Sequence, residues 1–124
     1  MIEKKGQKIL LVDDDRDMCE SLADVLTLDS NYNVSFTTSP LKALEMVKTD
    51  DFSLVILDYK MPDMNGVELL KHIKEIRPDL IVFMLTAFIS NELIEQAKKV
   101  GADRVLSKFI WPKEILKYIK KVIG

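Results

Sequence analysis

The sequence predicts an α/β fold of three layers, a five-stranded parallel sheet with helices on both faces, and three observations carry that prediction. Segments of strand length alternate with helix-periodic segments five times along the 124 residues. Strict alternation with short connections implies parallel strands joined by right-handed crossovers. Three of the strand segments, 8–12, 54–57 and 80–85, are almost wholly apolar, as strands covered on both faces are. The other two, 34–37 and 104–108, mix apolar and polar residues and belong at sheet edges. Buried strands one, three and four with edges two and five match the spatial order 2-1-3-4-5, whose switch point lies between strands one and three.

The elements follow in order. Lys8-Ile9-Leu10-Leu11-Val12 is the first strand, and Met18, Leu22, Val25 and Leu26 then recur at helical spacing as the inner face of a first helix. Asn31-Tyr32-Asn33 turns the chain into the half-exposed strand Val34-Ser35-Phe36-Thr37. Ser39 followed by Pro40 starts a second helix, a hydroxyl cap before a proline at the first helical position, with Leu44 and Val47 facing inward. After the third strand, Val67, Leu70, Ile73 and Ile76 mark a third helix that Pro78 closes, with His72 on its surface. The fourth strand ends at Thr86-Ala87. Ser90 caps a fourth helix with Leu93, Ala97 and Val100 inward, and Gly101 stops it. Arg104-Val105-Leu106-Ser107-Lys108 is the fifth strand, and Ile115, Leu116, Ile119, Val122 and Ile123 form the stripe of a closing helix.

Composition bounds the function. A chain of 124 residues with 48% hydrophobic and 31% charged content is one soluble-type domain, large enough to bury about two thirds of its unfolded surface. Its longest apolar run is too short to span a bilayer, and the Lys4, Lys5, Lys8 cluster precedes too few apolar residues for a signal peptide. The expected location is the cytoplasm, with no membrane partner. A single cysteine, Cys19, sits in a helical pattern and reads as core. The net charge of −2 hides an asymmetry: residues 91–124 carry eight Lys or Arg against four acids. No basic stripe with interleaved aromatics accompanies it, so direct nucleic-acid binding is not expected.

The chemistry collects at the strand ends. The run Leu54-Val55-Ile56-Leu57 ends in Asp58, and the following residues up to Gly66, with Pro62 between, read as a loop. Open α/β sheets bind ligands at the carboxyl ends of their strands, at the switch point. Asp13 and Asp14 follow strand one and Asp58 follows strand three, so these carboxylates should converge. On the plainer account, Asp13, Asp14 and Asp15 cap the first helix. On the other, crowded like charges become tolerable around a hard divalent cation, and oxygen ligands with retained waters suit Mg2+. Thr86 offers a hydroxyl and Lys108 a compact positive charge beside an anion. Together these residues describe a phosphoryl-transfer site with Asp58 as the nucleophile, forming an aspartyl phosphate, and Thr86 and Lys108 neutralising the transferring group.

The segments Leu11-Val12-Asp13-Asp14-Asp15, Val55-Ile56-Leu57-Asp58-Tyr59-Lys60-Met61-Pro62-Asp63-Met64-Asn65-Gly66, Leu85-Thr86-Ala87 and Ser107-Lys108 resemble the receiver domain of two-component response regulators, similar to the chemotaxis response regulator. The resemblance covers residues 1–124 as a single receiver domain and implies a flavodoxin-like (βα)5 sandwich. It implies that Asp58 is the phosphoacceptor, Asp14 a direct Mg2+ ligand, Asp13 a water-mediated partner and the Lys60 backbone carbonyl a further ligand. Mn2+ would substitute for Mg2+. Thr86 and Lys108 would bind the phosphoryl group, and a sensor histidine kinase or histidine phosphotransfer domain would supply it. The chain would then be a phosphorylation-activated switch of a phosphorelay rather than a multiple-turnover enzyme. The downstream effector stays open.

Three positions depart from the family pattern. Phe109 follows Lys108 where the family has proline in a cis peptide, so Lys108-Phe109 is expected to be trans. Val105 stands at the usual aromatic position of strand five. No effector domain follows Gly124, as expected of a stand-alone or an excised receiver. Two rivals remain: a haloacid-dehalogenase-type phosphatase using Asp13-Asp14-Asp15 as its D-x-D, and a degenerate receiver acting only as a binding module. The phosphatase leaves Asp58, Pro62 and Gly66 without a role. The degenerate receiver does not need the five site residues, all of which are present.

Overall fold

The computed structural model describes residues 6–28 and 30–124. Lys4 and Lys5 of the N-terminal basic cluster lie outside them. The elements run β1 Lys8–Val12, α1 Arg16–Leu28, β2 Asn33–Thr37, α2 Pro40–Thr49, β3 Phe52–Leu57, α3 Gly66–Ile76, β4 Ile81–Thr86, α4 Asn91–Val100, β5 Arg104–Ser107 and α5 Pro112–Ile123. The sheet has the expected order β2-β1-β3-β4-β5 with every neighbouring pair parallel.

Local chemistry sets the element ends. The Ser39 hydroxyl accepts the Lys42 amide at 3.2 Å with Pro40 opening α2, and Ser90 accepts the Leu93 amide at 3.1 Å at the start of α4. Gly101 ends α4 at φ 115°, with its amide donating to the Ala97 and Lys98 carbonyls, a left-handed cap that suits glycine. α3 stops at Ile76, two residues before Pro78.

Alternation along the strands divides the core in two. Leu10, Val12, Val55, Leu57, Val82 and Met84 point to one side and pack with residues of α2, α3 and α4 such as Val47, Leu70 and Leu93. Ile9, Leu11, Leu54, Ile56, Phe83 and Leu85 point to the other and pack with Leu22 and Leu26 of α1 and Ile115, Leu116 and Ile119 of α5. Cys19 is buried as expected. It donates to the Asp13 carbonyl at 3.5 Å, and burial pushes its thiol up to about 11, so it stays a protonated thiol at neutral pH.

Several details differ from the sequence reading, and β3 begins at Phe52, two residues before the apolar run 54–57. β2 begins one residue early, because Asn33 pairs with Lys8 and its amide reaches the Gln7 carbonyl at 2.9 Å. Tyr32 is therefore buried at the strand entrance instead of lying in an open turn. In α2 the fully buried inner residues are Ala43 and Val47, while Leu44 is half-buried, since Ala43 and Val47 sit four residues apart on the line facing the sheet.

Register fixes the rim. Val12 pairs with Leu57 and Thr86 with Ser107. Asp13 and Asp58 thus leave the sheet at one level, while β4 and β5 run two residues further before Lys108 follows Ser107. The Asp58 amide donates to the Val12 carbonyl at 3.0 Å and the Lys108 amide to the Thr86 carbonyl at 3.0 Å, which extends the ladder one step past the strands.

Candidate functional site

Asp13, Asp14 and Asp58 meet at this rim, each offering a carboxylate oxygen within 4.8 Å of the others. Asp13 and Asp58 are buried and Asp14 is exposed. The Lys108 ammonium bridges the two buried acids, 2.7 Å from Asp13 Oδ2 and 2.8 Å from Asp58 Oδ2. Lys108 comes from the end of β5, two strands from β3, so the ion pairs tie the far edge of the sheet to its centre.

The remaining oxygens are held by backbone. Asp58 Oδ1 accepts the Tyr59 amide at 2.7 Å, and Asp13 Oδ1 accepts the Asp15 amide at 3.0 Å. Asp15 Oδ1 accepts the Met18 amide at 3.2 Å, so Asp15 caps α1 while Asp13 and Asp14 do not. The capping account of the acidic triplet therefore holds for one residue of three.

One ammonium serves two buried carboxylates, and the electrostatics reflect the shortfall. Burial raises the Asp13 carboxyl above its ordinary value and the Asp58 charge adds to this, outweighing the hydrogen bonds from Lys108 and Asp15. Burial by itself pulls the Lys108 ammonium down, but the hydrogen bonds and charges of Asp13 and Asp58 more than reverse this and leave it raised. Converging hard oxygens short of positive charge fit an oxygen-ligated divalent cation.

Above the acids opens a cleft of about 510 Å3 lined by Asp14, Asp15, Asp58, Lys60, Met61, Pro62, Phe88 and Lys108. Its floor depends on Gly66. A Cβ there would stand 2.3 Å from the Asp58 carbonyl oxygen and 2.8 Å from the Tyr59 Cα, so the loop can fold back under Asp58 only with glycine. Asn65 then caps α3 in a reciprocal arrangement, accepting the Glu68 amide at 3.0 Å and donating to Glu68 Oε1 at 2.9 Å. The Asn65-x-x-Glu68 spacing carried that signal in the sequence, and our reading missed it.

Of the expected site residues, the structure brings together Asp13, Asp14, Asp58 and Lys108. Thr86 lies beside them but is fully buried and does not line the cleft; its hydroxyl accepts the Phe88 amide at 3.1 Å. The Lys60 ammonium sits 4.8 Å from the centre of the Phe88 ring, a cation–π pair across the cleft mouth. No cis peptide occurs among the described residues, so Lys108-Phe109 is trans as expected. Trp111 is 76% exposed, which removes core packing as its role.

A family model for the response regulator receiver domain matches residues 9–120. The transcriptional regulatory protein ZraR of Escherichia coli (strain K12) is 39% identical over 100 residues, which are 81% of this chain and 22% of that protein, so the chain spans about a fifth of that relative's length. The response regulator receiver protein CpdR of Brucella abortus (strain 2308) is 32% identical over 117 residues, covering 94% of this chain and 97% of CpdR. Among solved structures, a CheY-like response regulator receiver domain protein from Methanospirillum hungatei JF-1 superposes with a TM-score of 0.89 at 31% identity, over 94% of this chain and 92% of that one. The family match runs over nearly the whole chain, and the strand order and the acidic rim agree with it: the chain belongs to the response regulator receiver domains, the phosphoacceptor switches of two-component signalling.

Proposed function

We propose that Asp58 takes up the phosphoryl group, that Asp13, Asp14, Asp58 and the Lys60 backbone carbonyl hold Mg2+, and that Thr86 and Lys108 receive the phosphoryl oxygens. The observation that supports this reading best is the Lys108 bridge: one ammonium at 2.7 and 2.8 Å from two carboxylates set on different strands, beside an open cleft. An Asp58 oxygen attacks the phosphorus of a phosphohistidine, the O–P bond forms as the P–N bond breaks, and the imidazole leaves with the electron pair. Lys108 stands where it can exchange one carboxylate contact for a phosphoryl oxygen. Thr86 reaches the same oxygens once its hydroxyl leaves the Phe88 amide. Mg2+ bound among the acids, with Mn2+ as a substitute, would neutralise charge on the transferring group.

On this reading residues 1–124 act as one receiver domain in the cytoplasm, phosphorylated by a histidine kinase or a histidine phosphotransfer domain. It is a switch that is phosphorylated once per cycle, not an enzyme turning over a free substrate, and this segment does not itself contact nucleic acid. Among the described residues no helix is long and apolar enough to cross a membrane. Incubation with Mg2+ and a small phosphodonor tests the assignment. A single alkali- and hydroxylamine-labile phosphoryl group mapping to Asp58 is expected. Multiple turnover on phosphomonoesters would indicate a phosphatase, and absence of modification a binding module.

Two further expectations attach to the rim. Lys60 and Phe88 close the approach to Asp58, so loss of phosphate should speed several-fold in Lys60→Ala and Phe88→Ala. First-order decay of the phosphorylated protein within about twofold of the parent in both variants and in the double, roughly 0.4 kcal/mol of barrier, would rule out shielding. Phe109, Trp111, Phe88 and Ile89 are all exposed beside the same rim and form an apolar patch suited to a phosphodonor protein. Trp111→Ala should slow transfer from a protein donor by roughly tenfold while leaving a small-molecule donor unaffected. Equal slowing with both donors would place Trp111 in the chemistry instead.

A further inference from the structure

We propose that this chain attaches peripherally to an anionic lipid surface through the outer face of α5, with the β5 edge of the sheet turned toward the lipid. The basis is a row of cations. Lys113, Lys117, Lys120 and Lys121 are all exposed. At roughly 3.6 residues per turn they fall within an arc of about 100°, opposite the buried Ile115 and Ile119. The row runs about 12 Å along the helix. A fifth cation joins it from β5: the Arg104 guanidinium lies 4.6 Å from the centre of the Tyr118 ring, which the Lys121 ammonium also approaches at 5.6 Å. Among the described residues none of the five forms an ion pair. Glu114 is the one acid of α5. A shallow groove of about 300 Å3 lined by Lys113, Leu116, Lys117 and Lys120 gives a phosphate headgroup room to lie between ammonium groups.

The kind of partner follows from what this face lacks. Protein partners are held chiefly by a few large side chains buried at the centre of the contact. Among the described residues the exposed large apolar side chains, Leu28, Leu41, Phe88, Ile89, Phe109 and Trp111, all lie outside β5 or the lysine face of α5. The Tyr118 ring is taken up by its two cations. An anionic bilayer needs only clustered positive charge, to which each Lys or Arg near the surface adds. The expectation of no membrane partner rested on the lack of a spanning segment, which peripheral attachment does not need. Acids on α1 set the orientation. Asp17, Glu20 and Asp24 are exposed on α1, which packs beside α5 on the same side of the sheet. An anionic plane repels them, so the chain tilts about α5 with Arg104 toward the lipid and α1 away from it. Screening over about 8 Å at physiological salt confines the interaction to the nearest charges, so the net charge of −2 does not prevent it. The Asp58 cleft opens at the rim, off the outer face of α5, and stays accessible to a phosphodonor on the attached chain.

Co-sedimentation of the unphosphorylated chain with vesicles tests this. Binding is expected to phosphatidylcholine vesicles containing about one third phosphatidylglycerol at about 0.05 M salt, with a loss of roughly tenfold or more at about 0.5 M. No binding is expected to phosphatidylcholine alone. Lys117→Glu and Lys121→Glu should each lower the partition coefficient by roughly tenfold or more, since each removes an attraction and adds a repulsion. Lys42→Glu makes the same change of net charge on α2, on the opposite side of the sheet, and should alter binding by less than about twofold. Circular dichroism matching the parent establishes that each variant is folded. Equal binding to both kinds of vesicle, or equal weakening by Lys42→Glu and Lys117→Glu, would overturn the proposal. So would binding of inorganic polyphosphate by a chain that binds neither vesicle, which would assign the row to a soluble polyanion.

Discussion

Asp58→Asn is expected to abolish phosphorylation, by at least about three orders of magnitude in rate, or roughly 4 kcal/mol of barrier. The amide keeps the shape of the side chain and can still accept the Tyr59 amide, which now bonds Asp58 Oδ1 at 2.7 Å. It lacks the anionic oxygen that must form the O–P bond. The paired change is Asp14→Ala. Asp14 is the exposed member of the acid cluster and has no ion pair among the described residues. Its loss should remove most of the Mg2+ dependence of phosphorylation while leaving the apo fold intact. Intact-mass spectrometry after timed exposure to a small phosphodonor, across a Mg2+ titration, measures both variants. Labelling of Asp58→Asn at the parent rate would refute the acceptor assignment. An unchanged Mg2+ midpoint in Asp14→Ala would remove that residue from the cation site.

How far the site could be read in advance varied by residue. Asp58 was legible because an unbroken apolar run that stops at a carboxylate admits few placements other than a central strand end. Lys108 and Thr86 were legible as strand ends too, and parallel register put Asp13 and Asp58 at one level with the ends of β4 and β5 just beyond them. The unequal burial of Asp13 and Asp14 was not legible, since it depends on which residue of the triplet follows the β1 ladder and which one turns outward. The Thr86 hydroxyl also escaped sequence reasoning: a side-chain rotation decides whether it meets the cleft or the Phe88 amide. The Trp111 exposure follows from the α5 start. Trp111 is the residue before Pro112, its carbonyl takes the Glu114 and Ile115 amides, and its ring is left outside the helix's inner face. The path of the loop before α5 is not determined by the sequence.

Lys108→Ala is expected to lower stability by about 2 to 3 kcal/mol at neutral pH, a fall in Tm of roughly 10 °C, because it strands two buried carboxylates. Asp13 and Asp58 side chains are 10% and 6% exposed, while Lys108 itself is 17% exposed, so water enters in part and the loss falls at or below the range for a fully buried pair, about 3 to 5 kcal/mol. The pH dependence has a definite sign. The Asp13 carboxyl is already raised above its ordinary value of 3.8 by burial, and removing the ammonium takes away influences that lower it. A folded-state value above the unfolded one means that the folded chain binds the proton more tightly. The variant should therefore lie nearest the parent below about pH 4, and its deficit should grow as pH rises through the folded-state value and the buried charges form. The parent's own Lys108 contribution behaves oppositely at the alkaline end. That ammonium is raised above 10.5, so its contribution is complete below that pH and is lost only above it. Mg2+ separates the two causes of instability in the variant. A cation held by the acids restores much of the lost stability, by about 1.4 kcal/mol at ten times its Kd, whereas a packing defect would not respond. Thermal denaturation of parent and variant from pH 4 to pH 8, with and without millimolar Mg2+, measures this. A deficit independent of both pH and Mg2+ would mean that Lys108 supports the fold by packing rather than by neutralising Asp13 and Asp58.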